Sequence, residues 1–255
     1  MRSLCVTPGI VLRSWAYGES DKIVSFLTAA HGKVTGIAKG AQRSRKRFVN
    51  TLEPFSLVKL YFQDRPQSSL AFLHACDLIR SFKGLTTSLE RMAPAFYLLE
   101  IMDGLVNERE DNPALFEHLK EGLTFLEVDG GSLSFLTSFE LKLLDLAGYR
   151  PAIERCCRCR RDFTFAMESM WRFSVTDGGV LCGSCPAFGK DSIPLSPKAL
   201  CALVELQKID NFKSIPPSFP VSILKEARSV LLHFIQVQSH RELKSVPFLE
   251  SISFG

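Results

Sequence analysis

The sequence predicts an α+β protein of several domains, in which a small β-barrel is followed by a helical domain that carries a cysteine-rich insert. Within residues 1–79, short apolar runs alternate with turn residues, whereas the apolar positions that follow repeat with the period of a helix. Five of the eight cysteines lie within residues 150–190, where the helical pattern is interrupted. A chain of 255 residues is long enough for one large domain or for two to three small ones.

Five apolar runs predict the strands of the barrel, and turn signals such as His31-Gly32 separate them. In the fourth run, Val58, Leu60 and Phe62 alternate with polar residues and therefore share one face. Five short strands in so short a segment fit a small closed or partly open barrel better than a sandwich. The runs cover residues 10–15, 23–27, 34–38, 57–62 and 70–79.

Helix-start signals follow the barrel region. Thr87 and Glu90 have the spacing of a capping box, which predicts a helix that runs to about Val106. Asn112-Pro113 is typical of an N-cap followed by proline at the first helical position. Further helices are predicted to end near Gly148, to resume at Ser196-Pro197, and to finish with a last helix over about 221–238.

The charge is unevenly distributed although the net charge is only +4. Residues 1–80 carry 12 Lys and Arg against 5 Asp and Glu, whereas residues 81–150 carry 6 against 12. This polarity predicts an N-terminal domain that faces a polyanion. No apolar run reaches the roughly 18 residues of a membrane span, and no secretory signal is evident, so we expect a cytoplasmic protein with no membrane partner.

Two cysteine pairs predict a metal site. Cys156-x2-Cys159 and Cys182-x2-Cys185 are separated by 22 residues, and two such turns complete a tetrahedron of thiolates around one Zn²⁺ ion. Four thiolates leave no position for water, which favours a structural ion over a catalytic one. The alternatives are four unrelated thiols or two disulfides, and disulfides are disfavoured without a secretion signal. We find no metalloprotease, P-loop or nucleophile-elbow motif and predict no catalytic site.

A basic segment follows the third predicted strand, with five cations within residues 39–47. Lys33 and Lys39 are six residues apart and are predicted to share one face of that strand. Such a segment beside a barrel is a candidate phosphate-binding edge, and the alternative is a solvated surface loop. Four nearby aromatic residues are candidates for base stacking and equally for the core: Trp15, Tyr17, Phe48 and Tyr61.

Short segments spread over nearly the whole chain are similar, in the same order, to one protein family. On these segments the chain resembles the RecO family of bacterial recombination mediators in DNA repair. They are Gly9-Ile10-Val11-Leu12, Tyr17-Gly18-Glu19-Ser20-Asp21, Leu27-Thr28, His31-Gly32-Lys33, Ala38-Lys39-Gly40-Ala41, Leu52-Glu53-Pro54-Phe55, Phe139-Glu140-Leu141-Lys142-Leu143-Leu144, Gly148-Tyr149-Arg150-Pro151, Arg241-Glu242-Leu243-Lys244-Ser245 and Phe248-Leu249.

The resemblance implies an OB-fold over 1–79 and a helical domain over 80–255, with a zinc-ribbon-like insert at 150–190. It implies no enzymatic turnover. It implies binding of single- and double-stranded DNA, annealing of complementary strands, and cooperation with RecR in loading RecA onto DNA coated by the single-strand-binding protein SSB. The acidic C-terminal tail of SSB is a further implied partner, bound by the helical domain.

Carried over by position, the implied DNA contacts are Lys33, Lys39, Arg43, Arg45, Lys46 and Arg47. The implied zinc ligands are Cys156, Cys159, Cys182 and Cys185, and Cys157 is an additional thiol within the first pair. Two other classes of function remain. One is a zinc-containing protein–protein adaptor with incidental DNA contact, and the other is a zinc-dependent nucleic-acid enzyme, which requires an open metal position.

Overall fold

The computed structural model describes residues 3–65, 67–164, 170–186, 192–216 and 219–252. The chain divides into two compact units, the first built from Met1–Gly130 with Leu243–Ser253 and the second from Gly131–Glu242. The second unit is therefore inserted in the sequence of the first. The first unit includes helical residues beyond the barrel, as far as Gly130. The expected domain boundary after residue 79 stays a prediction.

Five strands form a closed barrel in the first unit, as predicted. They are β1 (Cys5–Tyr17), β2 (Asp21–Thr28), β3 (Lys33–Ala38), β4 (Ser56–Gln63) and β5 (Ala71–Ser81). The order around the barrel is β1-β2-β3-β5-β4, with antiparallel pairs except between β3 and β5, which pair in parallel at Gly36 and Ile37. This small Greek-key-like closure is OB-like, and it removes exposed sheet edges.

The interior of the barrel is filled by alternate residues of each strand. Val58, Leu60 and Phe62 are fully buried, as the period-two pattern predicts, and they meet Phe26 and Leu73 in the same core. The bulge between Val11 and Arg13 shifts the register of β1 against β2. Such a bulge adds local twist and helps a long strand bend around the barrel.

Six helices and a small sheet complete the described residues. The helices are α1 (Leu89–Leu105), α2 (Pro113–Val128), α3 (Leu133–Leu146), α4 (Pro197–Gln207), α5 (Val221–Ser239) and α6 (Val246–Glu250). The strands β6 (Trp171–Ser174), β7 (Gly179–Leu181) and β8 (Ser192–Leu195) form an antiparallel sheet in the order β7-β6-β8. Among these helices, none is long and apolar enough to cross a membrane.

Two details of the helix prediction are wrong. The residue before α1 is Ser88 and not Thr87, whose hydroxyl instead donates to the Gly84 carbonyl at 2.7 Å. A 3-10 turn over Lys83–Thr86 directly precedes Thr87, and the Gly84 carbonyl that accepts from Thr87 belongs to this turn. The predicted last helix is α5, but the short α6 follows it and packs in the first unit.

The remaining helix signals are confirmed. Pro113 occupies the first position of α2, and Gly148 adopts φ 83° just after α3, as a helix-ending glycine does. The hydroxyls of Ser132 and Ser196 accept from the backbone N–H groups of Phe135 and Ala199, which caps α3 and α4.

Candidate nucleic-acid interface and metal centre

The basic loop, residues 39–47, leaves the end of β3 in the first unit. Gly40 has φ 67°, which favours glycine, and a 3-10 turn over Ala41–Arg43 follows. The Ser44 hydroxyl accepts from the backbone N–H of Arg47 and of Phe48, each at 3.2 Å. The loop ends at Phe48, whose ring is buried in the barrel core, so the loop is anchored at both ends.

Three cations of the basic loop point to solvent. The side chains of Arg43, Arg45 and Lys46 are exposed and have no hydrogen-bond or ion-pair partner among the residues that the structure describes. Arg47 is also exposed, but its guanidinium donates to the Lys39 carbonyl at 2.8 Å and lies 5.2 Å from the centre of the Phe48 ring. Arg47 therefore stabilises the loop conformation, while the side chains of the other three cations are available to bind an anion.

The two remaining cations of the predicted set lie in ion pairs. Lys39 Nζ is 2.6 Å from Asp21 Oδ2, with the lysine side chain half exposed. Lys33 is buried, and its Nζ donates to the Asp103 carbonyl at 2.6 Å. The prediction that these two lysines share one face is wrong, because β3 ends at Ala38 and strand alternation does not extend to Lys39.

The structure separates the four candidate stacking residues. Phe48 is a core residue, whereas Trp15 and Tyr17 are exposed on the second half of β1. The Arg13 guanidinium lies 5.0 Å from the centre of the Trp15 ring, a cation–π arrangement on the same strand face. On β4 the Lys59 ammonium lies 5.5 Å from the Tyr61 ring centre. Trp15 and Tyr61 thus retain accessible ring surface beside a cation, which is the residue pairing that stacks on unpaired bases, and Tyr17 adds an exposed ring on the same strand as Trp15.

Asp21 is the functional candidate that sequence reasoning missed. It is the first residue of β2, and antiparallel pairing of Lys22 with Ala38 places it opposite the start of the basic loop. The hydrogen bond from Lys39, and then that from the Gly40 N–H, holds the pKa of the Asp21 carboxyl below its usual value of 3.8. The hairpin register of β2 with β3 is the signal that identifies it.

The four paired cysteines come together in the second unit. One sulfur from each of Cys156, Cys159, Cys182 and Cys185 lies within 4.8 Å of the others. Cys156 and Cys159 lie on a turn before β6, closed by the Arg160 N–H donating to the Cys156 carbonyl at 3.0 Å. Cys182 and Cys185 follow β7, where the Cys185 N–H donates to the Cys182 carbonyl at 3.0 Å. A hairpin turn precedes the second pair, with Gly178 at φ 66°.

The electrostatics of the cluster suit a bound cation. Burial raises the pKa of the Cys156 thiol, but backbone N–H groups of Cys182, Cys159 and Arg158 outweigh burial and lower it to about 6. Thiol donation to Cys159, followed by burial, raises the pKa of Cys185 to about 12. Backbone donors therefore favour the thiolate form of Cys156, which is the form in which cysteine binds a soft divalent cation.

Cys157 does not belong to the cluster. Its side chain packs on β7, where a Cβ atom added to Gly179 would lie 2.5 Å from Cys157 Sγ. Its backbone N–H donates to the Val180 carbonyl at 2.8 Å. The bonding of Cys157 to this hairpin leaves Cys156 and Cys159 as the first pair, which is the register that the sequence predicts.

Comparison with known proteins places both units in one family. Residues 1–82 match the family model described as Recombination protein O N terminal, and residues 86–247 match Recombination protein O C terminal. The chain is 36% identical to the DNA repair protein RecO of Syntrophus aciditrophicus over 249 residues, which cover 96% of this chain and 95% of that protein. It is 36% identical to RecO of Anaeromyxobacter dehalogenans over 246 residues, again covering 96% and 95%, and 32% identical to RecO of Caldanaerobacter subterraneus over 248 residues, covering 97% and 98%. On these matches, over its barrel and its helical region alike, the chain belongs to the RecO family of DNA repair proteins.

Proposed function

We propose that this chain is a recombination mediator that binds single- and double-stranded DNA and brings complementary strands together. In this role it acts with RecR to load RecA onto DNA coated by SSB, and it binds the acidic C-terminal tail of SSB. The role needs no covalent step, because neutralising two polyanions lowers their repulsion and holding both raises their effective concentration.

The observation that carries this proposal is the set of three unpaired, exposed cations on one anchored loop. Arg43, Arg45 and Lys46 project from a segment whose two ends are fixed to the barrel. Because the backbone of the loop is already fixed at both ends, less conformational entropy is lost when its cations bind successive phosphates. Arg47 joins them as a fourth, weaker contact, since its guanidinium already donates within the loop.

Lys33 and Lys39 enter the proposal differently. Lys39 meets a phosphate only if its ammonium leaves Asp21, and Lys33 only if it leaves Asp103. The pair at Lys33 is the more deeply buried of the two, so the exchange costs more there. We therefore retain Lys39 as a conditional DNA contact and give Lys33 a structural role.

For the cysteine cluster we propose one structural Zn²⁺ ion, held by Cys156, Cys159, Cys182 and Cys185. Four sulfur donors at mutual separations within 4.8 Å fit the donor set that zinc prefers in structural sites. When bound, the ion cross-links the two turns. The residues around it contribute the backbone N–H groups that stabilise thiolate charge.

The test is annealing of complementary oligonucleotides, naked and coated with SSB, over a series of salt concentrations. The Arg43→Ala/Arg45→Ala/Lys46→Ala variant should weaken single-strand binding and reduce the slope of log K against log salt by about 2, at about 0.7 for each lost phosphate contact. The matched control removes three exposed lysines from the second unit, Lys198, Lys213 and Lys225, with the same change in net charge.

Salt-sensitive annealing that persists on SSB-coated strands, and that the loop variant loses but the control keeps, supports the mediator role. Annealing of naked strands alone would leave a general DNA-binding protein. Weak, salt-insensitive binding by the wild-type chain would contradict the proposal and favour a protein–protein adaptor.

A further inference from the structure

The Asp21 carboxylate contacts the basic loop through both of its oxygens. Oδ2 accepts from Lys39 Nζ at 2.6 Å, and Oδ1 accepts from the Gly40 backbone N–H at 2.8 Å. Oδ1 also accepts from the Ser20 hydroxyl at 3.2 Å. The Asp21 side chain is only 14% exposed, so the carboxylate faces the loop more than it faces water.

The backbone of the same turn holds the next residue of the loop. The Asp21 carbonyl accepts from Gln42 Nε2 at 3.0 Å, and the Ser20 carbonyl accepts from the Gln42 N–H at 2.9 Å. Gly40, between these contacts, adopts its left-handed conformation. The start of the basic loop is therefore shaped by the turn between β1 and β2, which is remote in sequence.

The contact with Lys39 also alters the charge that the loop presents. A lysine ammonium beside a backbone N–H is the kind of donor pair that binds a phosphate. Here the Asp21 carboxylate occupies that position as an internal anion. While Asp21 is ion-paired with Lys39, the unpaired positive charges of the loop are those of Arg43, Arg45 and Lys46. The Arg47 guanidinium is also charged but already donates within the loop.

We propose that Asp21 is the positioning residue of the basic loop, acting through Lys39 and Gly40 to set both the shape of the loop and the charge that it offers to an anion. The consequence for DNA rests on the proposed function, whereas the consequence for loop shape does not. Asp21 makes no contact with DNA in this proposal. It determines how many cations of the loop are available.

The charge effect is tested by a double-mutant cycle in single-strand binding across a salt series. Asp21→Asn keeps an oxygen for the Gly40 N–H but frees the Lys39 ammonium, so the salt slope should become steeper by about 0.7, the value of one phosphate contact. Lys39→Gln alone should leave the slope unchanged, and Lys39→Gln combined with Asp21→Asn should remove the gain. A merely structural role of Asp21 would not make its effect depend on Lys39. A slope that already falls by about 0.7 in Lys39→Gln would overturn the proposal.

The shape effect is tested without DNA, by amide hydrogen exchange at Gly40 measured by NMR. Asp21→Ala removes the acceptor and should speed exchange of the Gly40 amide about tenfold, as loss of a hydrogen bond to a charged group does, whereas Asp21→Asn should retain most of the protection. Equal exchange rates in wild type and Asp21→Ala would overturn the positioning role whatever the DNA results are.

The two readouts separate failure of this inference from failure of the proposed function. If Gly40 exchange responds to Asp21→Ala but the wild-type chain shows no salt-dependent DNA binding, the proposed function fails and the shaping of the loop stands. If DNA binding depends on Arg43, Arg45 and Lys46 but neither the exchange nor the double-mutant cycle responds to Asp21, the inference fails and the proposed function stands.

Discussion

Lys33 Nζ donates a hydrogen bond to the backbone carbonyl of Asp103 at 2.6 Å and lies 3.7 Å from the carboxylate of the same residue. The lysine is 7% exposed, so its charge is largely removed from water. It joins β3 of the barrel to α1 within the first unit. A cation that sequence reasoning assigns to DNA thus has a partner of its own inside the fold.

Replacement of Lys33 should affect stability more than DNA binding. We expect Lys33→Ala to lower the free energy of unfolding of the first unit by about 3 kcal/mol, because it leaves the Asp103 carboxylate without its cation in a partly buried place. The two tryptophans, Trp15 and Trp171, lie in different units, so urea unfolding followed by Trp15 fluorescence in a Trp171→Phe background reports on the first unit.

The matched control for that measurement is Lys213→Ala, an exposed lysine of the second unit, which should change the free energy of unfolding by less than about 0.5 kcal/mol. The salt slope of DNA binding should be the same in Lys33→Ala as in wild type. A shallower slope with unaltered stability would return Lys33 to the DNA contacts.

In the second unit, the buried ion pair of Glu140 and Arg228 should make coupled contributions to stability. Arg228 Nη2 and Nε donate to Glu140 Oε1 at 2.7 and 3.1 Å, joining α5 to α3, and both side chains are buried. Glu140→Leu alone should cost about 4 kcal/mol because the guanidinium then keeps an uncompensated charge. The Glu140→Leu/Arg228→Leu double variant should recover much of that loss, as measured by Trp171 fluorescence in a Trp15→Phe background. Additive losses would show that the two charges are stabilised independently.

Loss of one cluster cysteine should remove the metal. If the proposed zinc site is correct, we expect Cys182→Ser to reduce zinc content from one per chain to near zero and to lower the Tm, because the proposed ion would contribute folding energy by joining two turns. Metal content is measured by elemental analysis and Tm by calorimetry. Cys157→Ser is the matched control, because Cys157 packs on β7 outside the cluster, and this variant should retain the zinc content of the wild type. Unchanged zinc in Cys182→Ser would show that the ligand set is wrong.

Local patterns explain how much of this fold could be predicted. The alternation of Val58, Leu60 and Phe62 identifies a half-buried strand, because the period of two is a property of the strand itself. The two Cys-x2-Cys pairs identify the cluster for a similar reason, since each pair is a local turn. The charge of the basic loop could also be read from the sequence, because it lies in consecutive residues.

Contacts between residues distant in sequence account for what could not be predicted. Lys33 and Asp103 are separated by 70 positions, and nothing in the period of β3 indicates that the lysine turns inward. Asp21 and Lys39 meet only because β2 and β3 pair with Lys22 opposite Ala38, and that register is set by the whole hairpin. The start of α1 one residue later than predicted follows from the preceding 3-10 turn, whose Gly84 carbonyl accepts the Thr87 hydroxyl that a capping box would have used.

The pKa of Asp21 provides a test of its pairing that needs no DNA. The hydrogen bond from Lys39, followed by that from Gly40, depresses this pKa below 3.8, so the interaction is present above about pH 4 and is lost as the pH falls through the folded-state pKa. Carboxyl-carbon NMR titration should therefore give a midpoint below 3.8 in wild type and a higher one in Lys39→Gln. The neighbouring Glu53→Gln variant, which removes the partner of Lys22, should leave the Asp21 midpoint in place.

The C-terminal segment should stabilise the first unit although it follows the second in sequence. The Glu100 carboxylate on α1 accepts from the backbone N–H groups of Lys244 and Ser245, each at 2.8 Å, and α6 then packs against α1. Within α6, Leu249 is 1% exposed and its neighbour Phe248 is 39% exposed. We expect Leu249→Ala to lower the free energy of unfolding by about 3 kcal/mol through the cavity that it leaves, and Phe248→Ala to lower it by less than about 1 kcal/mol.

The measurement is urea unfolding followed by Trp15 fluorescence in the Trp171→Phe background, because Trp15 belongs to the first unit. Glu100→Gln should reproduce part of the Leu249→Ala loss, since a neutral amide accepts the same backbone donors less strongly than a carboxylate. Equal losses for Leu249→Ala and Phe248→Ala would mean that burial does not determine the contribution of α6. A loss that appears only when Trp171 fluorescence is followed, in the Trp15→Phe background, would mean that the segment stabilises the inserted unit instead.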